Sequence, residues 1–227
     1  MILYSTQVQM ISRRLFTVLS LLLLMFCSQY PPSYAGSGYL SAEENKVYLS
    51  TLDFETTRRE ADTYFIRGYE STTPVEQEKY YILAMQKYFI LTLLAPNDYY
   101  GYVQMARIHD LRKEDSLAKK DYAFAYNLDK LNPYTNFYYG EYYSKRARYH
   151  KALKYYLTAY NNGYEENYIT ITKLAWLYEK LGDLKKSREM YEKSYAMNPS
   201  ASDLGQKIRS IDSENYENTG YYQLIRE

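Results

Sequence analysis

Residues 168–201, YITITKLAWLYEKLGDLKKSREMYEKSYAMNPSA, decide the fold. The first half places Ile171, Leu174, Ala175 and Tyr178 at spacings of three, one and three, which is one face of a 3.6-residue helix. Gly182-Asp183 interrupts that pattern where the chain must reverse, because glycine accepts a positive φ with no Cβ clash. The second half carries Leu184, Ser187, Tyr191 and Ser194 along one face. It stops at Asn198-Pro199, since proline disfavours continuation of a helix. A helix pair of this size cannot bury its own apolar faces alone, so copies of it are expected elsewhere in the chain.

The copies are present. Tyr191 is preceded by Tyr156, Tyr122 and Tyr88 at strides of 35, 34 and 34, and Ser187 by Ala152, Ala118 and Ala84 at the same strides. Ala175 is preceded by Gly140 and Ala106, and Tyr178 by Tyr143. A helical hairpin recurring about every 34 residues resembles the tetratricopeptide repeat (TPR) family. The likeness is close over residues 99–201 and looser over 61–98. Its physical content is an alternation in which a small residue lets two helices approach and a nearby Tyr fills the groove beside it. The resemblance implies an all-α, TPR-like α-solenoid of three and a half to four hairpins, at residues 61–98, 99–132, 133–167 and 168–201.

The repeats depart from one another in places. Gly68 to Ala84 is 16 residues, whereas Ala106 to Ala118, Gly140 to Ala152 and Ala175 to Ser187 are 12 each. The first hairpin is therefore expected to have a turn longer by four, across residues 71–77. Pro96 and Pro199 stand where the family ends a repeat, but Lys130 and Tyr164 hold the matching places. Pro133 follows three residues late, and Gly163 is expected to end its helix instead. The second repeat carries His109 where later ones show Tyr143 and Tyr178, and Asp115 where they show Tyr149 and Leu184.

The chain has 227 residues, enough for a real core. With 28 Lys and Arg against 27 Asp and Glu, no bulk attraction to nucleic acid or acidic substrates is implied. The 32 tyrosines are the compositional signal. Those in register read as groove fillers that bury a ring and keep the hydroxyl wet or paired. The excess at Tyr99-Tyr100 and at Tyr138-Tyr139 with Tyr142-Tyr143 is expected to leave aromatic surface for a partner.

Residues 1–35 have the parts of a secretory signal. Arg13 and Arg14 flank an apolar run from Leu15 to Cys27, 13 residues long. At about 1.5 Å per residue that run falls short of a bilayer core. Ser33 and Ala35 then supply the small residues of a cleavage site before Gly36. Export with cleavage after Ala35 is expected, and an uncleaved anchor is the rival reading. Cys27, the single cysteine, resembles a lipidated cysteine of bacterial lipoproteins in its place, but Phe26 stands where such signals carry a small residue. A chain cut after Ala35 holds no cysteine and rests on packing alone.

Residues 36–60 read as a linker and an N-terminal helix, with Ser41 as a cap before Glu43 and Glu44. Residues 202–227 read as a capping helix and a polar tail. Leu204, Ile208 and Ile211 form one apolar stripe that closes the exposed end of the last repeat. The open ends of a repeat stack invite self-association and such terminal helices oppose it.

No catalytic constellation is visible. His109 and His150 fall in different repeats without a Cys or carboxylate at ligand spacing, so no metal site is expected. There is no phosphate loop, nucleophile elbow or Cys/His pair. The basic run Lys145-Arg146, Arg148, His150-Lys151 reads as a solvated turn. No cofactor is expected, and the chain reads as a scaffold or adaptor, not an enzyme. The alternative is a membrane-anchored assembly factor, meeting the membrane only through an uncleaved or lipidated start.

The resemblance implies that first helices line a concave side where a partner segment lies. By register the lining residues are Tyr100, Val103, Arg107 and Asp110, then Tyr134, Phe137, Glu141 and Ser144, then Ile169, Thr172, Trp176 and Glu179. Family members that grip a C-terminal carboxylate use Lys, Asn and Arg at such places. Val103, Phe137 and Thr172 stand there instead, so that clamp is absent. What remains is a tyrosine-rich groove suited to a protein or peptide segment. Trp176, one residue past the packed Ala175, either points off the seam as an anchor or covers the flank of the neighbouring repeat.

Overall fold

The computed structural model describes residue 47 and residues 49–218. The proposed signal segment, the Ser41 cap and the patch at residues 221–225 lie outside them. The described chain holds nine α-helices and no strand. Four antiparallel hairpins follow one another: α1 (Phe54–Glu70) with α2 (Pro74–Leu94), α3 (Tyr100–Leu111) with α4 (Asp115–Leu128), α5 (Pro133–Ser144) with α6 (Tyr149–Ala159), and α7 (Tyr168–Lys180) with α8 (Leu184–Met197). A last helix, α9 (Ser202–Asn218), packs on α8. Among the described residues no helix is long and apolar enough to cross a membrane.

Local chemistry sets the helix ends. Asp53, Thr73, Asn132, Asn167 and Asp183 each accept a hydrogen bond from the backbone N–H three residues on, closing donors that a helix start leaves unpaired. Pro74 and Pro133 occupy the first turn, where their missing N–H costs nothing. Pro133 thus starts α5 and does not close the helix before it. After α6 comes a short π-turn, Tyr160–Tyr164, in which Gly163 at φ 123° breaks the helical conformation.

The three later hairpins turn by one motif. The N–H of Glu114, Arg148 and Asp183 each reaches back five residues, to the carbonyls of His109, Tyr143 and Tyr178 at 2.8, 3.0 and 2.9 Å. This closure needs a left-handed residue at the position before. The residues there are Lys113 (φ 63°), Ala147 (φ 53°) and Gly182 (φ 80°), each seven places after the small residue of its first helix. Only the last turn uses the residue that adopts this conformation freely.

The small-residue rule governs the packing. Ala106, Ala175, Ala118, Ala152 and Ser187 are fully buried. A Cβ at Gly140 would come within 3.1 Å of the Tyr156 ring, so the glycine admits the tyrosine. The periodic Tyr88, Tyr122, Tyr156 and Tyr191 are all buried. Leu204 and Ile211 of α9 join Ala175 and Tyr191 in a core at the C-terminal end, with Ile208 beside them, so the cap is built as its stripe predicts.

The first hairpin differs from its expected form in two ways. It opens at Phe54, so residue 61 falls inside α1. Its turn is only Ser71–Thr73, and the extra length is helix: α1 and α2 have 17 and 21 residues against 11–14 in the other hairpin helices. The residue equivalent to Gly140 is Ala61. Tyr88 hydrogen-bonds to Asp62 just as Tyr156 does to Glu141, in each case the residue after the small one. Gly68 meets Tyr81, where an added Cβ would stand 2.6 Å from the ring.

His109, at the groove place that Tyr143 and Tyr178 hold in later repeats, is packed and 8% exposed. Its surroundings correct the sequence reading, because two carboxylates reach it through the hairpin. Glu114 Oε2 is 2.5 Å from Nδ1 and Asp121 Oδ2 is 3.5 Å from Nε2. Burial of Asp121 pushes its carboxyl up to about 6, against the opposing pull of His109 and Lys120.

Candidate functional site

The face made by α1, α3, α5 and α7 is built from residues three or four apart on each helix, which stand one above another. Its centre is a polar relay. Asp62 Oδ1 accepts from the hydroxyls of Tyr88 and Tyr100, both at 2.7 Å. Gln104 Nε2 donates to the Tyr100 hydroxyl at 2.8 Å, and Arg107 Nη1 donates to Gln104 Oε1 at 2.6 Å. The Arg58 guanidinium lies over the Tyr100 ring, 4.2 Å from its centre. Burial, then the bond to Asp62, pushes the Tyr88 and Tyr100 hydroxyls above the ordinary tyrosine range, so both stay protonated donors.

Around the relay runs a strip of half-buried rings. Tyr134 stands 5.5 Å from Tyr100, 6.0 Å from Tyr99 and 4.8 Å from Tyr138. Phe137 meets Tyr138 at 5.2 Å and Tyr164 at 6.0 Å, both edge to face. The Arg107 guanidinium carbon lies near two rings from neighbouring hairpins, 4.5 Å from the centre of Phe65 and 4.2 Å from that of Tyr138.

A ladder of ion pairs crosses each later junction, with an acid on one hairpin and a base on the next element. Asp110, its side chain 6% exposed, takes Lys145 and Arg146 at 2.8 Å each. Glu141 takes Lys173 at 3.0 Å and also the Tyr156 hydroxyl. Glu179 takes Lys207 of α9 at 2.8 Å and the Tyr191 hydroxyl at 2.9 Å. Part of the basic run at residues 145–151 is therefore neutralised from within. Among the described residues there is no group of three or more metal-ligating side chains.

Tyr100, Arg107, Tyr134 and Phe137 are brought together on one strip, with Glu141 at its edge. Val103 is not on it: the side chain is fully buried among Tyr122, Tyr139 and Ala106 and presents nothing to a partner. The Thr172 hydroxyl is engaged inside its own hairpin, donating to the Tyr168 carbonyl at 2.8 Å and lying 2.6 Å from Ser194 Oγ. Trp176 takes the covering role. It is half-buried and packs on two cores at once, edge to face with Tyr149 of α6 at 5.5 Å. Ile169 is 43% exposed.

Sequence reasoning missed Asp62, Phe65, Gln104 and Tyr164, while Tyr99, Tyr100 and Tyr138 stand on the strip as the excess tyrosines predict. The first two become visible once Ala61 replaces Gly68 as the small residue of the first hairpin, since Asp62 then aligns with Arg107 and Glu141. Tyr138 and Gln104 share the place held by Lys173, each two residues before the small one.

No protein-family model matches the sequence, and no curated protein matches it. Solved structures do. The Pseudomonas aeruginosa pilF protein superposes with a TM-score of 0.58 at 18% identity, over 74% of each chain. PilW, described as a widely conserved type IV pilus biogenesis factor, gives 0.56 at 15%, over 70% of each chain. YrrB, described as a TPR protein with an unusual peptide-binding site, gives 0.52 at 13%, over 72% of this chain and 81% of its own. The fold is a TPR-like solenoid. At these identities the likeness concerns architecture alone.

Proposed function

We propose that this protein is an exported, non-catalytic TPR-like adaptor that holds a segment of a partner protein on its tyrosine-rich first-helix face. The observation that carries the reading is the ring strip Tyr99, Tyr100, Tyr134, Tyr138, Phe137 and Tyr164, whose members are only half-buried although the cores beneath them are complete. Aromatic side chains with few rotors give large contact area at low entropic cost, which suits them to anchoring a segment. The peptide-binding site named for YrrB supports the same use of the fold. Export rests on residues 1–35, with their charged flank, short apolar run and small residues before Gly36.

The test is affinity capture from the native host with crosslink mapping, comparing wild type with a Phe137→Ala, Tyr138→Ala double variant whose circular dichroism matches wild type. Crosslinks to α3 and α5 that vanish in the variant support the adaptor. A partner held equally by both proteins removes the strip from the interaction. The second reading, a membrane-anchored assembly factor, is favoured by the apolar run Leu15–Cys27. Mass spectrometry of the mature protein separates the two: a chain starting at Gly36 is exported free, and one retaining Leu15–Cys27 is anchored.

A further inference from the structure

Arg107 departs from the charge pattern of its face. Asp110, Glu141 and Glu179 each meet a base across a junction, whereas Arg107 has no carboxylate within ion-pair distance among the described residues. It is also half-buried, a setting in which an uncompensated charge is costly. Its guanidinium carries five N–H donors, and among the described residues one is used, by Gln104 Oε1. The Phe65 and Tyr138 rings lie 4.5 and 4.2 Å from the guanidinium carbon, one from each neighbouring hairpin. Two rings this close leave the half-buried guanidinium less solvated than a free one, which strengthens a hydrogen bond to a charged acceptor.

We propose that the partner segment carries an internal acidic side chain, Asp or Glu, whose carboxylate docks on the Arg107 guanidinium beside Phe65 and Tyr138. This rests on the partner-segment reading above and specifies its chemistry. One unpaired positive charge, with Asp62, Asp110 and Glu141 on the same face, matches a single monoanionic carboxylate and disfavours a phosphoryl dianion. The residue is internal because apolar surface continues on both sides of Arg107. Phe65 belongs to the preceding hairpin, and the strip from Tyr138 to Tyr164 belongs to the following one.

The probe is a set of immobilised eleven-residue peptide pools, acetylated and amidated, random except for a central Glu, Asp, Gln or Asn. A further pool has a free C-terminus and a central Gln. Labelled mature protein is read on all of them as wild type, as Arg107→Met and as Gln104→Glu. The last variant keeps the acceptor for Arg107 Nη1 and its stacking while neutralising its charge from within. Wild type is expected to favour the acidic centres over their amides by about tenfold, as a charge-assisted pair allows. Both variants, folded by circular dichroism, are expected to bring that ratio to about one. Equal binding of acidic and amide pools, with binding lost in Phe137→Ala, Tyr138→Ala, overturns this inference and leaves the adaptor standing. A free C-terminus that outbinds every acidic centre also overturns it. Binding to no pool removes the adaptor reading together with it.

Discussion

The left-handed turn residues offer a test with a definite sign. Ala147 holds φ 53° in the third hairpin, and Gly182 holds φ 80° at the same place in the fourth. An L-residue in this region costs about 1–2 kcal/mol through its Cβ. Ala147→Gly relieves that strain but makes the unfolded chain more flexible, which returns about 0.4–1 kcal/mol. The net is a stabilisation of about 0.5–1 kcal/mol. Gly182→Ala runs the exchange backwards, and because nothing lies within 4 Å of the added Cβ, its cost of about 1 kcal/mol is purely conformational. At about 2–4 °C per kcal/mol for a chain of this size, thermal melting at 222 nm should move up by about 2 °C for the first variant and down by about 3 °C for the second. Urea midpoints, read with unchanged slopes, check that the denatured state has not shifted. Two shifts of the same sign, or an Ala147→Gly protein less stable than wild type, would refute the argument that the turn conformation sets the cost.

Two further outcomes follow from buried polar groups. Asp121 has its folded pKa raised to about 6 from 3.8, so the native state holds the proton more tightly than the unfolded chain. Its contribution is therefore most favourable below about pH 4 and is lost as pH rises through about 6, by up to about 3 kcal/mol. The difference in urea midpoint between wild type and Asp121→Asn should widen over that window and stay flat above it; a constant difference would count against the burial. The Tyr156 hydroxyl donates to Glu141, whereas the Tyr122 hydroxyl makes no hydrogen bond among the described residues. Tyr156→Phe should cost about 1–2 kcal/mol in denaturant unfolding and Tyr122→Phe less than about 0.5 kcal/mol, an ordering that equal losses would contradict.

The hairpins were legible because two helices packed at a fixed distance require a small residue at their crossing, and that requirement repeats with the structure. Ala106, Gly140 and Ala175 declare it without help from any partner. Hairpin length obeys no such constraint, since extra helical turns lengthen both helices together and leave the crossing intact. Gly68 misled for that reason. It sits seven residues after Ala61, the place of the turn residue in later hairpins, yet the helix continues through it to admit Tyr81. The strip was legible only in part. Register assigns a helix face but not depth, so Val103 and Tyr100 looked alike, although one is buried beneath tyrosines and the other lies among half-buried rings. Trp176 depended on Tyr149, a contact between hairpins that the spacing within one helix does not encode. The carboxylates around His109 came from the far side of a turn, at Glu114 and Asp121, where no ligand spacing points.

The position of Trp176 has an optical consequence. It is the only tryptophan among 32 tyrosines and lies at the junction of α6 with the last hairpin. Light absorbed by the tyrosines is passed to it by resonance transfer, most efficiently from the rings held nearest to it. Indole emission excited through tyrosine therefore watches that one junction. It should fade when the C-terminal end frays and stay indifferent to what occupies the strip around Arg107, giving a native signal in which loss of structure and binding do not mix.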